Sequence, residues 1–146
     1  MTELALKHGV NLSFRVDVSE SELVELYNRA RAFVYAPILE PFGLTPVEAM
    51  ACGLPVVAVR EGGVRESVVN EQTGFLVDRD PVKFALKLTQ LLQDDYLGNQ
   101  LGKNGRKHVM DCWTWPHAYE RFVDAVATVT PEQDRKENRR GNQNCT

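Results

Sequence analysis

The chain has 146 residues, of which 43% are hydrophobic and 25% charged, and its 17 basic and 20 acidic side chains leave a formal net charge of -3. That length suits one domain, the apolar content can fill a core and excludes disorder of the whole chain, and the near-balanced charge supplies no bulk field for nucleic acid. Cys52, Cys112 and Cys145 are an odd set without metal-ligand spacing, which predicts a reducing compartment. No run approaches the roughly 18 apolar residues of a membrane span, and residues 1–10 lack a leader pattern, so a cytoplasmic chain without a transmembrane segment is expected.

In chain order, Leu12 to Val16 reads as a short strand. Ser19 with Glu22 three residues later has the spacing of a reciprocal capping box, opening a helix to about Ala30 whose apolar positions Leu23, Leu26, Tyr27 and Ala30 collect on one stripe. Ala32 to Ala36 reads as a buried strand stopped by Pro37. Thr45 then predicts an N-cap, with Pro46 as first helical residue and Gly53 as the stop. Pro55 to Val59 is a second β-branched run, followed by a helical stretch near Val64 to Val69 and a strand at Phe75 to Val77.

Asp80-Pro81 starts a further helix bearing Phe84, Leu88, Leu91 and Leu92. A weaker pattern at Leu97, Leu101 and Val109 marks the next, and a last helix is predicted from about Trp115 to Val129. Residues 130–146 hold no aromatic or aliphatic side chain and read as a disordered polar tail beyond a domain at 1–129. Strands apolar on both faces, alternating with helices, predict an α/β fold with a parallel sheet.

The most informative stretch is Glu40-Pro-Phe-Gly-Leu-Thr-Pro-Val-Glu48-Ala-Met-Ala-Cys-Gly53-Leu-Pro-Val-Val-Ala58, followed by Gly62-Gly63-Val-Arg-Glu66 and Thr73-Gly-Phe-Leu-Val77. Pro41 biases Glu40 toward an extended backbone, Gly43 permits close approach, and the helix begun at Thr45-Pro46 turns free amides toward the loop. A helix start after a glycine-bearing loop, at the carboxyl end of a parallel strand, is a favoured seat for phosphate.

These residues, over about Leu4 to Val126, resemble the retaining glycosyltransferases of GT-B type that include glycogen synthases, sucrose-phosphate synthases and many mannosyltransferases. The resemblance implies a partial C-terminal, Rossmann-like domain that binds a nucleotide-diphosphate sugar as donor substrate, with no further cofactor and no metal. It implies that Glu40 is the catalytic carboxylate, bonding donor-sugar hydroxyls and stabilising positive charge at the anomeric carbon. Glu48 would accept from ribose hydroxyls. Phe42, Gly43, Leu44 and Thr45 would complete the substrate-binding set, the backbone of the last three facing sugar and diphosphate. The function implied is sugar transfer to an unknown acceptor, with little activity in the isolated chain. The alternative is a non-catalytic nucleotide-sugar-binding or regulatory module paired with an acceptor-domain subunit.

Simpler roles stand beside these. Glu48, three residues after Thr45, also fits a capping box, Glu40 also reads as an exposed loop carboxylate, and Gly62-Gly63 fits a turn as well as ligand approach. His108, Cys112 and His117 lack the further partner a metal site needs. Trp113 and Trp115, beside Ala118, Tyr119 and Phe122, read as anchors of the last helix to its own core rather than as a sugar platform.

The resemblance also implies departures. The family's first two strands of this domain, and the basic pair that neutralises the donor diphosphate, would precede Met1, and Arg60, Arg65 and Lys83 stand at other positions. Val16 replaces a glycine that many relatives carry. Given the Rossmann strand order 3-2-1-4-5-6, a missing central pair would leave Phe33, Val34 and Tyr35 as an open apolar edge. The outcomes are direct pairing with Leu12–Val16, pairing with an acceptor-domain chain or across a homodimer, and aggregation; a partner requirement is the expectation.

Overall fold

The computed structural model describes residues 2–38 and 40–129; the predicted tail at 130–146 lies outside them. Three strands, β1 (Phe33–Tyr35), β2 (Val56–Val59) and β3 (Gly74–Val77), form a parallel sheet in the order β1-β2-β3. The register pairs Phe33 with Val56, Tyr35 with Ala58, Val57 with Phe75 and Val59 with Val77. Strand β2 is central and all four of its residues are buried. Its side chains alternate between two cores, as the two-residue period of a strand requires. Val56 and Ala58 join Met50, Val64 and Val109 on one face, while Val57 joins Phe75, Leu91 and Leu101 on the other.

Seven helices are present among the described residues: α1 (Thr2–Lys7), α2 (Glu20–Arg29), α3 (Leu44–Ala51), α4 (Val64–Ser67), α5 (Pro81–Gln93), α6 (Asp95–Cys112) and α7 (Trp115–Val129). The Ser19–Glu22 capping box is formed in both directions. Asp80 caps α5 through the amides of Val82 and Lys83, with Pro81 at the first position. Helix α6 lies directly on α3, and glycine permits the approach: a Cβ on Gly102 would stand 2.0 Å from the Gly53 carbonyl oxygen.

Three expectations need correction. Leu12 to Val16 is not a strand; Leu12, Phe14 and Val16 are 40%, 59% and 79% exposed. Their alternation suits a sheet, but a strand exists only where a neighbour pairs with it. Among the described residues β1 pairs with β2 alone, so the direct closure onto Leu12–Val16 does not occur and the outer edge of β1 is open.

The second concerns α3, which begins at Leu44 with Gly43 as its N-cap in the left-handed conformation (φ 65°) and no side-chain cap. Thr45 therefore lies inside the first turn, and the Thr45–Glu48 capping box does not form. The loop enters through a backbone conformation that glycine adopts without strain, so no hydroxyl is needed at the cap.

The third concerns α7. Trp113 packs against the core, but Trp115, Tyr119 and Phe122 are 88%, 68% and 67% exposed. Nothing in the described chain lies opposite this stripe. Helix α7 is instead fixed at its start, where His117 Nδ1 lies 2.8 Å from Thr114 Oγ1 and Arg121 donates to the Cys112 carbonyl at 2.8 Å while covering the Trp113 ring.

Candidate functional site

The loops after β1, β2 and β3 converge at the carboxyl end of the sheet, the end where open α/β folds place their ligands. Arg79, after β3, ties them together. Its guanidinium meets Glu61, after β2, at 2.6 Å and also donates to the Pro37 carbonyl after β1. The Arg79 hydrogen bond, more than its charge, lowers the Glu61 pKa, and Glu61 in turn raises that of Arg79.

The loop from Glu40 to Gly43 is seated by main-chain contact with Gly62-Gly63. A Cβ on Gly62, whose φ is +65°, would fall 1.9 Å from the Glu40 carbonyl oxygen; one on Gly63 would fall 2.3 Å from that of Phe42. The pair therefore serves close approach of the two main-chain segments. Glu40, half-buried, folds back over the start of α3, where its Oε1 accepts from the Phe42 amide at 3.2 Å and, more weakly, from the Gly43 amide at 3.5 Å. No described group accepts from the amides of Leu44 and Thr45. These are orphan donors of the first turn, facing the same loop.

Of the remaining predicted residues, Gly43 is buried while Phe42 and Leu44 are 73% and 62% exposed at the rim, and Thr45 is exposed beside them. Glu48 lies one turn further along α3 and accepts from the Tyr27 hydroxyl of α2 at 3.2 Å. Burial, then the Glu48 charge and this hydrogen bond, push the Tyr27 pKa up to about 12. Tyr35, the last residue of β1, also has a raised pKa, from burial first and the Glu40 charge second, with the Thr45 hydroxyl acting in the opposite direction. Two phenols thus border the two carboxylates. The sequence pattern places Tyr27 only on an apolar stripe; the signal for its polar role is the phenol itself, whose hydroxyl generally needs a partner when buried.

The other basic and metal-capable residues named from the sequence make their contacts outside this cluster. Arg60 donates to the Leu76 carbonyl, Arg65 to that of Gly62, and Lys83 pairs with Asp78. His108 accepts from the Trp113 indole at 3.2 Å and burial lowers its pKa, which suits a neutral ring. No three His, Cys, Asp or Glu side chains among the described residues are placed to hold a metal. A concavity of about 330 Å³ at the amino ends of β1 and β2, with Arg31 and Asp95 paired at its rim, is not lined by Glu40 or Glu48.

The parallel sheet with its flanking helices is shared with known proteins. Residues 1–108 match the family described as "Glycosyl transferases group 1". The chain belongs to that family. It is 34% identical over 123 residues to the alpha-1,3/1,6-mannosyltransferase ALG2 of Rhizomucor pusillus, covering 82% of this chain and 27% of that protein. Sucrose-phosphate synthase from Thermosynechococcus elongatus superposes with a TM-score of 0.75 at 30% identity, over 88% of this chain and 33% of that one. Anabaena HepE, solved in complex with UDP-glucose, superposes with a TM-score of 0.66 at 26% identity, over 87% of this chain and 34% of HepE. The group 1 chain therefore spans about a quarter to a third of the length of these relatives, and its fold is that of the Rossmann-like C-terminal domain of GT-B proteins. No helix among its described residues is long and apolar enough to cross a membrane.

Proposed function

We propose that this group 1 chain forms the donor side of a retaining glycosyl transfer site and binds a nucleoside diphosphate sugar. The reading rests on one observation: the orphan amides of Leu44 and Thr45 open at the carboxyl end of β1, with the Glu40 carboxylate over the same turn. An anionic diphosphate suits such amides, which carry the partial positive charge of a helix start. Glu40 accepts the sugar hydroxyls and stabilises charge at the anomeric carbon; Glu48, exposed and oriented by Tyr27, accepts from the ribose. The similarity to HepE, which was solved with UDP-glucose, supports this class of donor.

Transfer needs more than this surface supplies. A helix start contributes up to about 2 kcal/mol toward an anion, against roughly 8 kcal/mol or more for enzymatic acceleration. The described donor surface binds and does not by itself turn over. The acceptor side comes from outside the described residues, whether from the same polypeptide, an acceptor-domain chain or a second copy, and docks along the open β1 edge where Val34 is 50% exposed. Calorimetric titration with UDP-glucose, GDP-mannose and the parent diphosphates tests the donor reading. A sugar nucleotide binding more tightly than its diphosphate is the expected result; no binding by any of the four overturns it.

A further inference from the structure

The groove between β3 and α5 carries chemistry that donor binding leaves unused. It encloses about 250 Å³, with Leu76, Val77 and Leu86 as apolar walls and Arg60, Lys83, Lys87 and Asp78 as its charged groups. None of the residues from Glu40 to Glu48 lines it. Three cations therefore share one carboxylate, and their partners are unequal. Lys83 Nζ is 3.0 Å from Asp78 Oδ2 and is neutralised there. Arg60 rests one terminal nitrogen on the Leu76 carbonyl at 3.0 Å, which leaves most of its guanidinium donors for another acceptor. Lys87 lies 4.4 Å from the centre of the Phe75 ring and 3.3 Å from the Gln90 amide oxygen, neither of which carries charge. The next acid, Asp80, is engaged by the Val82 and Lys83 amides as the cap of α5.

We propose that this groove binds a small phosphate monoester, with its head between Arg60 and Lys87 and its organic body against Leu76, Val77 and Leu86. Charge selects the head group: two cations without a matching carboxylate suit a group that carries about -1.5 to -2 at neutral pH better than a single carboxylate. Geometry agrees, because a guanidinium fork takes phosphate oxygens in pairs while an ammonium supplies a point charge. Size limits the body. The volume falls below the roughly 300–1,000 Å³ of sites for drug-sized ligands, so the occupant is small or enters by one end. The site is separate from the donor surface, so the proposal stands or falls independently of the proposed function.

The test follows amide resonances of the isotopically labelled full chain during titration at constant ionic strength with phenyl phosphate, inorganic phosphate and phenol. Phenyl phosphate is expected to shift Val77, Asp78, Leu86 and Lys87 saturably, with a dissociation constant near or below about 1 mM. Inorganic phosphate should move the same residues more weakly, and phenol should not saturate. Arg60→Gln and Lys87→Gln should each weaken binding about tenfold, the loss of one charge-assisted hydrogen bond, while Lys87→Arg and the outlying Arg65→Gln retain it. Lys87→Arg keeps the test decisive if loss of the contact with Phe75 unfolds the glutamine variant. Failure of phenyl phosphate to saturate, equal affinity for inorganic phosphate, or binding that survives both glutamine variants overturns the proposal.

Discussion

The hydroxyl of Tyr27 donates to Glu48 across 3.2 Å, and this bond joins the outer helix α2 to the helix that begins at the donor loop. Removing it by Tyr27→Phe should lower stability by about 0.5–1.5 kcal/mol near neutral pH, the net value of one such bond. Urea denaturation measures this. An unchanged midpoint would mean that water replaces the tyrosine without loss.

The same pair predicts a pH dependence. The Tyr27 pKa is raised in the folded chain, from the ordinary 10 to about 12, so the native state holds this proton more tightly than the unfolded one. Its contribution is fully present below pH 10 and is lost as pH rises through about 12. Stability should therefore fall across that alkaline window in the wild type and fall less in Tyr27→Phe. Parallel curves for the two proteins would sink the assignment.

Glu40→Gln should separate sugar from nucleotide. A glutamine oxygen can still accept from the Phe42 amide, so the loop keeps its shape, but a charge-assisted bond to a sugar hydroxyl becomes a neutral one of about half the strength. UDP-glucose affinity should drop about fivefold, or about 1 kcal/mol, with UDP unchanged. Calorimetry on both ligands decides, and equal losses would remove Glu40 from the sugar position.

Two glycines with the same φ of +65° give a matched pair for the loop contact. Gly9 has nothing within 4 Å of an added Cβ, so Gly9→Ala should cost only the backbone preference, about 1–2 kcal/mol. Gly62→Ala adds a collision with the Glu40 carbonyl and should cost about 1–3 kcal/mol more, with loss of UDP-glucose binding. Similar denaturation midpoints for the two variants would show that the donor loop is not seated on Gly62.

The open edge of β1 predicts association. Light scattering should give a mass above the 16.5 kDa of a single chain, and Val34→Lys should return it to that value, since a charged lysine blunts an edge strand. Phe122→Asp serves as the comparison on the exposed face of α7. A wild-type monomer, or dispersal by Phe122→Asp alone, would remove β1 as the interface.

Much of the fold was legible because its signals are local. Ser19 with Glu22, Asp80 with Pro81 and the fully apolar run at Val56–Val59 each specify their element within a few residues, and all three elements form. Leu12–Val16 failed for the opposite reason: a strand needs a neighbour, and alternation alone does not say whether one is there. Thr45 misled because a threonine before proline reads as a cap, whereas Gly43 enters the helix through a left-handed backbone that no side-chain pattern announces. The position of Glu40 at a helix start could be read from Pro41 and Gly43. Its neighbour Tyr35, and the bond from Tyr27 to Glu48 across 21 positions, are tertiary relationships that spacing does not encode.

The seating of the donor loop on Gly62 and Gly63 is made by backbone atoms on both sides. A contact of that kind specifies shape while leaving the adjoining side chains free to change. Phe42 is such a side chain, 73% exposed on the loop. On the proposed donor reading, Phe42 can be exchanged to retune which sugar the rim accepts without displacing the Glu40 carboxylate, which makes it the natural position for a library aimed at donor selectivity.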